Sequence, residues 1–327
     1  MQRKPLVYLL AVLALLTIML PAAAVAQEAT PPQSQPVPFQ FDLAKPLGEA
    51  ASGKTSTTGS SLDGLVSIAG MNMFSEVEPN NTSATATTLP GNNTVAVGNV
   101  YPNGDLDYFS FTGNAGDRVY AATMTSFSAS GNTDSFLTLF ASDGTTVIES
   151  DNDDGSFGAT ASNLAGTTLP SAGTYYLQVR HNSATNQLRP YYLYLQVQSG
   201  SPTPESESND TPATANALPA NGWVRGARNP AAAAEQDWFS FTANAGDTVY
   251  LNLDLDPERD NVQWNGRLGI GLFGDAANQV LVVNDTSTGS ATNSLSEAMF
   301  LTIKPAGTYY AFVDSPTATV GGPTATY

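Results

Sequence analysis

Residues Asp107–Tyr120, DYFSFTGNAGDRVY, return 130 positions later as DWFSFTANAGDTVY at Asp237–Tyr250, with eleven of the fourteen positions identical. In the first copy Phe109 and Phe111 fall on one side of an extended chain, and Tyr108, Ser110 and Thr112 on the other. Alternation of this kind is the period of a strand with one face in a core. NAGD then reads as a turn and RVY as the start of a return strand, so the repeated block is a hairpin. The same texture fills the chain from Ser75 onward, in TVAVGNV, SFLTLF, TYYLQVR and YYLYLQVQ, with Gly, Asn, Asp and Pro turns between. No stretch of helical length carries a 3.6-residue apolar period. The fold class is all-β and antiparallel.

The order of elements recurs along with the hairpin. ESESNDTPATANALP answers EVEPNNTSATATTLP, RLGIGLF answers SFLTLF, and LTIKPAGTYYAFV answers TTLPSAGTYYLQV. A period this long means two complete domains rather than a solenoid, whose repeats run ~20–50 residues. The expected division is a first β-sandwich at 75–198, a linker at 199–204 around SGSPTP, and a second β-sandwich at 205–327. The second copy stops at Tyr327, where its last strand should begin. The expectation is a second sandwich without that strand, in a chain that is a fragment of a longer protein.

Upstream, Arg3 and Lys4 precede an apolar run from Leu6 to Leu20, and Ala24-Val25-Ala26 supplies a small-residue cleavage pattern. This is the pattern of a secretory signal peptide over residues 1–26. Residues 27–74, rich in Pro, Gln, Ser, Thr, Ala and Gly, read as a flexible, disordered linker. The expected location is secreted, extracellular or at the cell surface, with no membrane contact after cleavage. The 327 residues contain no cysteine, so an exported chain must be held by its core or by metal ions rather than disulfides. Removing Arg3 and Lys4 with the signal takes the net charge from −17 to −19. A surface so acidic repels phosphate backbones and excludes nucleic acid as a partner.

The acidic residues are not evenly spread. Glu76, Glu78, Asn80 and Asn81 stand at the entrance of the first domain, and Asp105 and Asp107 lead into its hairpin. Glu205, Glu207, Asn209 and Asp210, with Glu235 and Asp237, hold the same places in the second. Calcium takes six to eight hard oxygen ligands, several of them carboxylates. Carboxylates gathered without a cation repel one another, so a metal would be coupled to the fold. From the residues alone, a solvated acidic loop is the competing reading.

The ordered motifs E-x-E-P-N-N, G-D-x-D-Y-F-S-F, A-G-D, a DDG turn and A-G-T-Y-Y, repeated in looser form, resemble the bacterial pre-peptidase C-terminal domain. That family includes the collagen-binding domains of clostridial collagenases. The resemblance implies a jelly-roll-type β-sandwich secreted as an accessory to extracellular enzymes, often peptidases. In calcium-binding members the ligands come from the entrance segment and the Asp pair. Carried over, these are Glu76, Glu78, Asn80, Asn81, Asp105 and Asp107, then Glu205, Glu207, Asn209, Asp210, Glu235 and Asp237. The second set departs from the pattern, with Ser208 for the proline and Glu235 for an Asp.

Catalytic vocabulary is sparse. The one histidine, His181, lies in RHNSATNQ and reads as a solvated loop residue. There is no H-E-x-x-H, no G-x-S-x-G and no phosphate-binding glycine loop. DNDDG, Asp151–Gly155, fails as an EF-hand loop because the first and twelfth positions are Ser150 and Ala161, and it reads as a turn with Asp side chains on local amides. The expectation is no enzyme activity. If TYYLQVR and YYLYLQVQ pair, Tyr176, Arg180, Tyr192 and Tyr194 form a patch suited to sugars or extended polypeptide. Ordinary cross-strand tyrosine pairing is the alternative. The expected function is a non-catalytic accessory or binding module, calcium-stabilised, that binds polymeric protein such as collagen, or polysaccharide, or assists a secreted peptidase. The alternative is a structural spacer or adhesin segment.

Overall fold

In the computed structural model each alternating run becomes a strand. Residues 72–327 are described, apart from 92, 127, 129–131, 156–157, 229–234, 261–263, 265, 273–278, 285–295 and 316–325. The expected signal peptide and all but the last three residues of the expected linker lie outside the described residues.

The first domain comprises β1 (Asn72–Ser75), β2 (Thr87–Thr88), β3 (Thr94–Val100), β4 (Asp107–Gly113), β5 (Arg118–Met124), β6 (Ser135–Phe140), β7 (Val147–Asp151), β8 (Asp154–Gly155), β9 (Gly158–Thr168), β10 (Gly173–His181) and β11 (Leu188–Gln198). They form two sheets, ordered β1-β3-β11-β5-β9-β8 and β2-β4-β10-β6-β7. Their inner faces enclose Phe109, Phe111, Leu137, Leu139, Tyr175, Leu177, Leu193 and Leu195, all buried. The hairpin phenylalanines are 0% and 2% exposed, and burying each contributes roughly 1.5–3 kcal/mol. β1 pairs in parallel with β3, and Phe74 packs on the core.

The second domain comprises β12 (Thr203–Pro204), β13 (Asn216–Ala217), β14 (Val224–Arg225), β15 (Asp237–Ala243), β16 (Thr248–Leu253), β17 (Arg267–Leu272), β18 (Gln279–Asn284), β19 (Glu297–Thr302) and β20 (Gly307–Asp314). Its five-stranded sheet, β13-β15-β20-β17-β18, has the order of β2-β4-β10-β6-β7. Its other layer is split into β12-β14 and β16-β19, the counterparts of β1-β3 and β5-β9. The split falls where β11 lies in the first domain. At that point Tyr327 exchanges two 3.0 Å backbone hydrogen bonds with Gly226, as Tyr191 stands opposite Gly98 in the β11–β3 ladder.

The described residues fall in one compact unit, and the two sandwiches are clasped within it. Tyr194 stacks on Tyr250 with centroids 5.4 Å apart. Trp223 Nε1 donates to the Tyr120 hydroxyl at 2.9 Å and Asn252 Nδ2 to Asn163 Oδ1 at 2.7 Å. Arg259 bonds Asp254 at 2.8 Å and also donates to the carbonyl of Ala165. Gly166, at φ +69°, leaves room for this clasp, since a Cβ there would stand 2.1 Å from Asp254 Oδ2.

Candidate metal centre

Each site is assembled by an entrance segment that folds back beside the first hairpin. Past β1, Glu76 N donates to Val97 O at 3.0 Å, and Tyr108 N donates to Asn80 O at 2.9 Å. Asn80 N in turn donates to Glu78 Oε2 at 2.9 Å. Glu76 Oε1 accepts from Asn99 N at 2.6 Å. The result brings Glu76, Glu78 and Asp107 together, each offering one carboxylate oxygen, all within 4.8 Å of one another. Asp107 and Asn80 are fully buried. Asp107 Oδ1, Glu76 Oε2 and both side-chain polar atoms of Asn80 are buried without a hydrogen-bond partner.

The second domain repeats the arrangement. Trp238 N donates to Asn209 O at 3.0 Å, Ala227 N to Glu205 Oε1 at 2.6 Å, and Asn209 N to Glu207 Oε2 at 3.3 Å. Glu205, Glu207 and Asp237 form one group, and Glu207, Asp210 and Glu235 a second that shares Glu207. Asp237 Oδ1 and Asn209 Oδ1 are buried without a partner. Ser208 and Glu235 therefore do not prevent the acidic residues from converging.

Asp105 and Asn81 are placed differently from the rest of the first set. Asn81 Nδ2 donates to Asp105 Oδ1 at 2.6 Å. The carboxylate also accepts from the Leu106 and Tyr101 amides, each at 3.0 Å. Asp105 thus shapes the turn into β4.

Two residues outside the expected set complete the sites. The Tyr191 hydroxyl donates to Asp107 Oδ2 at 2.7 Å. The Tyr327 hydroxyl donates to Asp237 Oδ2 at 2.7 Å and Glu205 Oε2 at 2.6 Å. Gly98 and Gly226 make room for them, since a Cβ at either would meet the tyrosine oxygen at 2.3 Å and the Glu76 or Glu205 carboxylate nearly as closely. A glycine inside TVAVGNV was the available signal, because strand glycines mark close approach of another group.

The electrostatics fit a cation. Burial, then the charge of Glu76, pushes Asp107 up to about 9, and burial, then Glu205, pushes Asp237 up to about 8. Burial also raises Glu76 and Glu205 and holds the Tyr191 and Tyr327 hydroxyls well above their ordinary value. Buried carboxylates in this state need either a proton or a positive ion to offset them. The donors are all oxygen, the ligand type of hard divalent cations.

The tyrosine patch is corrected by the topology. β10 and β11 are consecutive but lie in opposite sheets, because the chain crosses the sandwich between them. Tyr192 and Tyr194 point away from the core on one sheet, where they are 8% and 2% exposed under the second domain. Tyr176 and Arg180 are half-buried on the outer face of the other sheet, with Arg180 over the Phe136 ring at 3.9 Å. Tyr108 and Phe140, stacked at 5.8 Å, share that face. His181 is likewise not in a loop: it ends β10, is buried, and its Nδ1 accepts from Ser183 N at 2.8 Å. In the DNDDG turn Asp151 Oδ2 accepts from Asp153 N, as expected, and also from Asn163 N on β9.

The fold and site together define a mainly antiparallel β-sandwich architecture in which entrance segments converge with hairpin strands on buried carboxylates. Residues 105–181 match the family model of the bacterial pre-peptidase C-terminal domain. A probable subtilase-type serine protease of Deinococcus radiodurans is 31% identical over 110 residues, covering 33% of this chain and 14% of that protein. Among solved structures, the periplasmic inhibitor of g-type lysozyme from Aeromonas hydrophila is similar over 35% of this chain and 97% of its own, at 20% identity and a TM-score of 0.25. The pre-peptidase C-terminal domain of a Bacillus anthracis collagenase is similar over 35% of this chain and 94% of its own, at 18% identity and a TM-score of 0.26.

Proposed function

We propose that this chain is a non-catalytic extracellular accessory module in which each sandwich is pinned by a calcium ion. The observation that carries the calcium reading is the burial of Asp107 and Asn80 with unpartnered oxygens beside Glu76 and Glu78, and its repetition at Asp237 and Asn209. Glu76, Glu78, Asn80 and Asp107 would hold one ion, and Glu205, Glu207, Asn209 and Asp237 the other. Asp210 and Glu235 extend the second site, while Asn81 and Asp105, bonded to each other, wall the first. The ion would supply the positive charge that these oxygens lack, fixing the entrance segment to the hairpin.

The accessory role is supported by the family match at residues 105–181 and by the stretch shared with a probable subtilase-type serine protease. The polymer-binding part of the reading moves to the face carrying Tyr108, Tyr176 and Arg180. A second reading, a spacer that holds other domains at a fixed angle, draws support from the clasp between the sandwiches.

Extracellular calcium modules bind at ~10⁻⁴–10⁻³ M, and tenfold excess over Kd stabilises by roughly 1.4 kcal/mol per site. Melting in calcium should exceed melting in chelator by several degrees, and Glu78→Ala should shrink that gap. Equal melting temperatures in both conditions overturn the calcium reading. For the role, retention on insoluble collagen, chitin or cellulose that is lost in Tyr108→Ala/Tyr176→Ala supports polymer binding. Retention on none of them favours the spacer.

A further inference from the structure

The two sites differ in how their carboxylates are held. In the first, Glu76, Glu78, Asp105 and Asp107 are four carboxylates, and the amide of Asn81 donates to Asp105 Oδ1 at 2.6 Å. In the second, Asp210 stands where Asn81 does and Glu235 where Asp105 does. An acceptor has replaced the donor, so the bond that closes the first site has no counterpart. Glu207, Asp210 and Glu235 instead bring three carboxylate oxygens within 4.8 Å of one another, beside the group at Glu205, Glu207 and Asp237. Like charges this close call for a cation.

The second domain carries one in the chain itself. Gly98 and Gly226 hold matching places under Tyr191 and Tyr327, so two residues further on Arg228 answers Val100. Val100 is a member of the first apolar core. Arg228 is 3% exposed, its guanidinium lies over the Trp264 ring at 5.8 Å, and its Nη2 donates to the Glu235 carbonyl at 3.0 Å. Glu235 is itself 2% exposed, whereas Glu207 and Asp210 face solvent. Charged side chains are almost never buried to this depth unless paired. The member of the acidic group that water does not reach is the one that Arg228 does. With one more carboxylate and one more guanidinium than the first site, the second keeps the same formal charge of −4.

We propose that Arg228 is the built-in counter-ion of the Glu207, Asp210 and Glu235 group, so that the second sandwich takes one calcium ion, at Glu205, Glu207 and Asp237. With the calcium reading proposed above as its basis, Arg228 becomes the residue that sets how many ions this sandwich accepts. A guanidinium stays protonated at any working pH, so this half of the site is neutralised whether or not calcium is present. In the first sandwich Asn81 closes the same place with a hydrogen bond and no charge.

The test counts calcium ions on the full chain by titration at about 0.15 M salt, where exposed carboxylates are screened. The parent should bind two ions with Kd below ~10⁻³ M. Arg228→Met, which keeps an apolar stem over Trp264 but removes the charge, should bind three. Arg228→Lys, which restores a cation, should bind two, a difference from Arg228→Met that a packing role alone does not produce. Arg228→Met/Glu235→Gln should also return to two. Two ions on a folded Arg228→Met chain, or three on the parent, overturn the proposal and leave the calcium reading in place. The parent count decides even if Arg228→Met fails to fold. Fewer than two ions on the parent defeats the calcium reading, and the role of Arg228 with it.

Discussion

At the residue scale, the hydroxyls of Tyr191 and Tyr327 do more than fill space. Each donates to a buried aspartate that also faces glutamates of the entrance segment. Tyr191→Phe removes the donor while leaving Asp107 buried, and leaving a buried polar group without its partner costs about 1–3 kcal/mol. We expect the variant to lose that much stability in chelator and less in saturating calcium, where an ion takes over the charge. Chemical denaturation in both conditions checks it, and an equal loss in each would refute the coupling. Glu76, Glu78 and Asp107 were legible in the sequence because short acidic motifs recur in register with the hairpin. Tyr191 was not, since it lies 84 residues from Asp107 in the chain. Only the folded β3–β11 ladder brings the two together.

At the element scale, the entrance segment between β1 and β2 has little of its own to hold it. Val77, Glu78 and Pro79 are exposed, and its ties include backbone bonds to β3 and β4 and a 3.0 Å bond from Val77 N to the Thr87 hydroxyl. Segments with few buried apolar contacts open locally before the core does. Limited proteolysis should therefore cut near Val77 in chelator, and calcium should suppress that cut while leaving other sites unchanged. Indifference of the cleavage pattern to calcium would detach the segment from the ion. The strands themselves were readable from period-two alternation, and DYFSFT, RVYAATM, SFLTLF, TYYLQVR and YYLYLQVQ all became β4, β5, β6, β10 and β11. Their partners were not readable. Alternation says which side of a strand is buried, but not which sheet it joins, and so the tyrosines of β10 and β11 were placed on one surface when the fold sends them to two.

At the scale of the whole molecule, the two sandwiches share a buried electrostatic knot. Glu149 lies beside Arg259, Asp254 and Asp256 of the second domain, and accepts from the Thr167 hydroxyl. Burial raises its carboxyl above the ordinary 4.5, with the Thr167 bond and Arg259 opposing. A raised folded value means that the group's contribution to stability is complete below about 4.5 and fades as pH climbs through the folded value. With calcium saturating, the melting temperature of the parent chain should fall as pH rises above about 4.5, and Glu149→Gln should flatten that slope. A slope unchanged by the substitution would show that Glu149 does not carry it.

The route of β1 has a mechanical corollary. Asn72 enters opposite Thr94, and β11 passes Leu195 opposite the same residue before leaving. The first sandwich is therefore loaded at one end when the chain is stretched, while Glu76 and Tyr191 sit at the other end, beside Gly98. Tension would peel β1 away pair by pair, as a zip opens, rather than shear it. The carboxylate cluster is where the tear would have to stop, and with the proposed ion bound it would tether the chain against force.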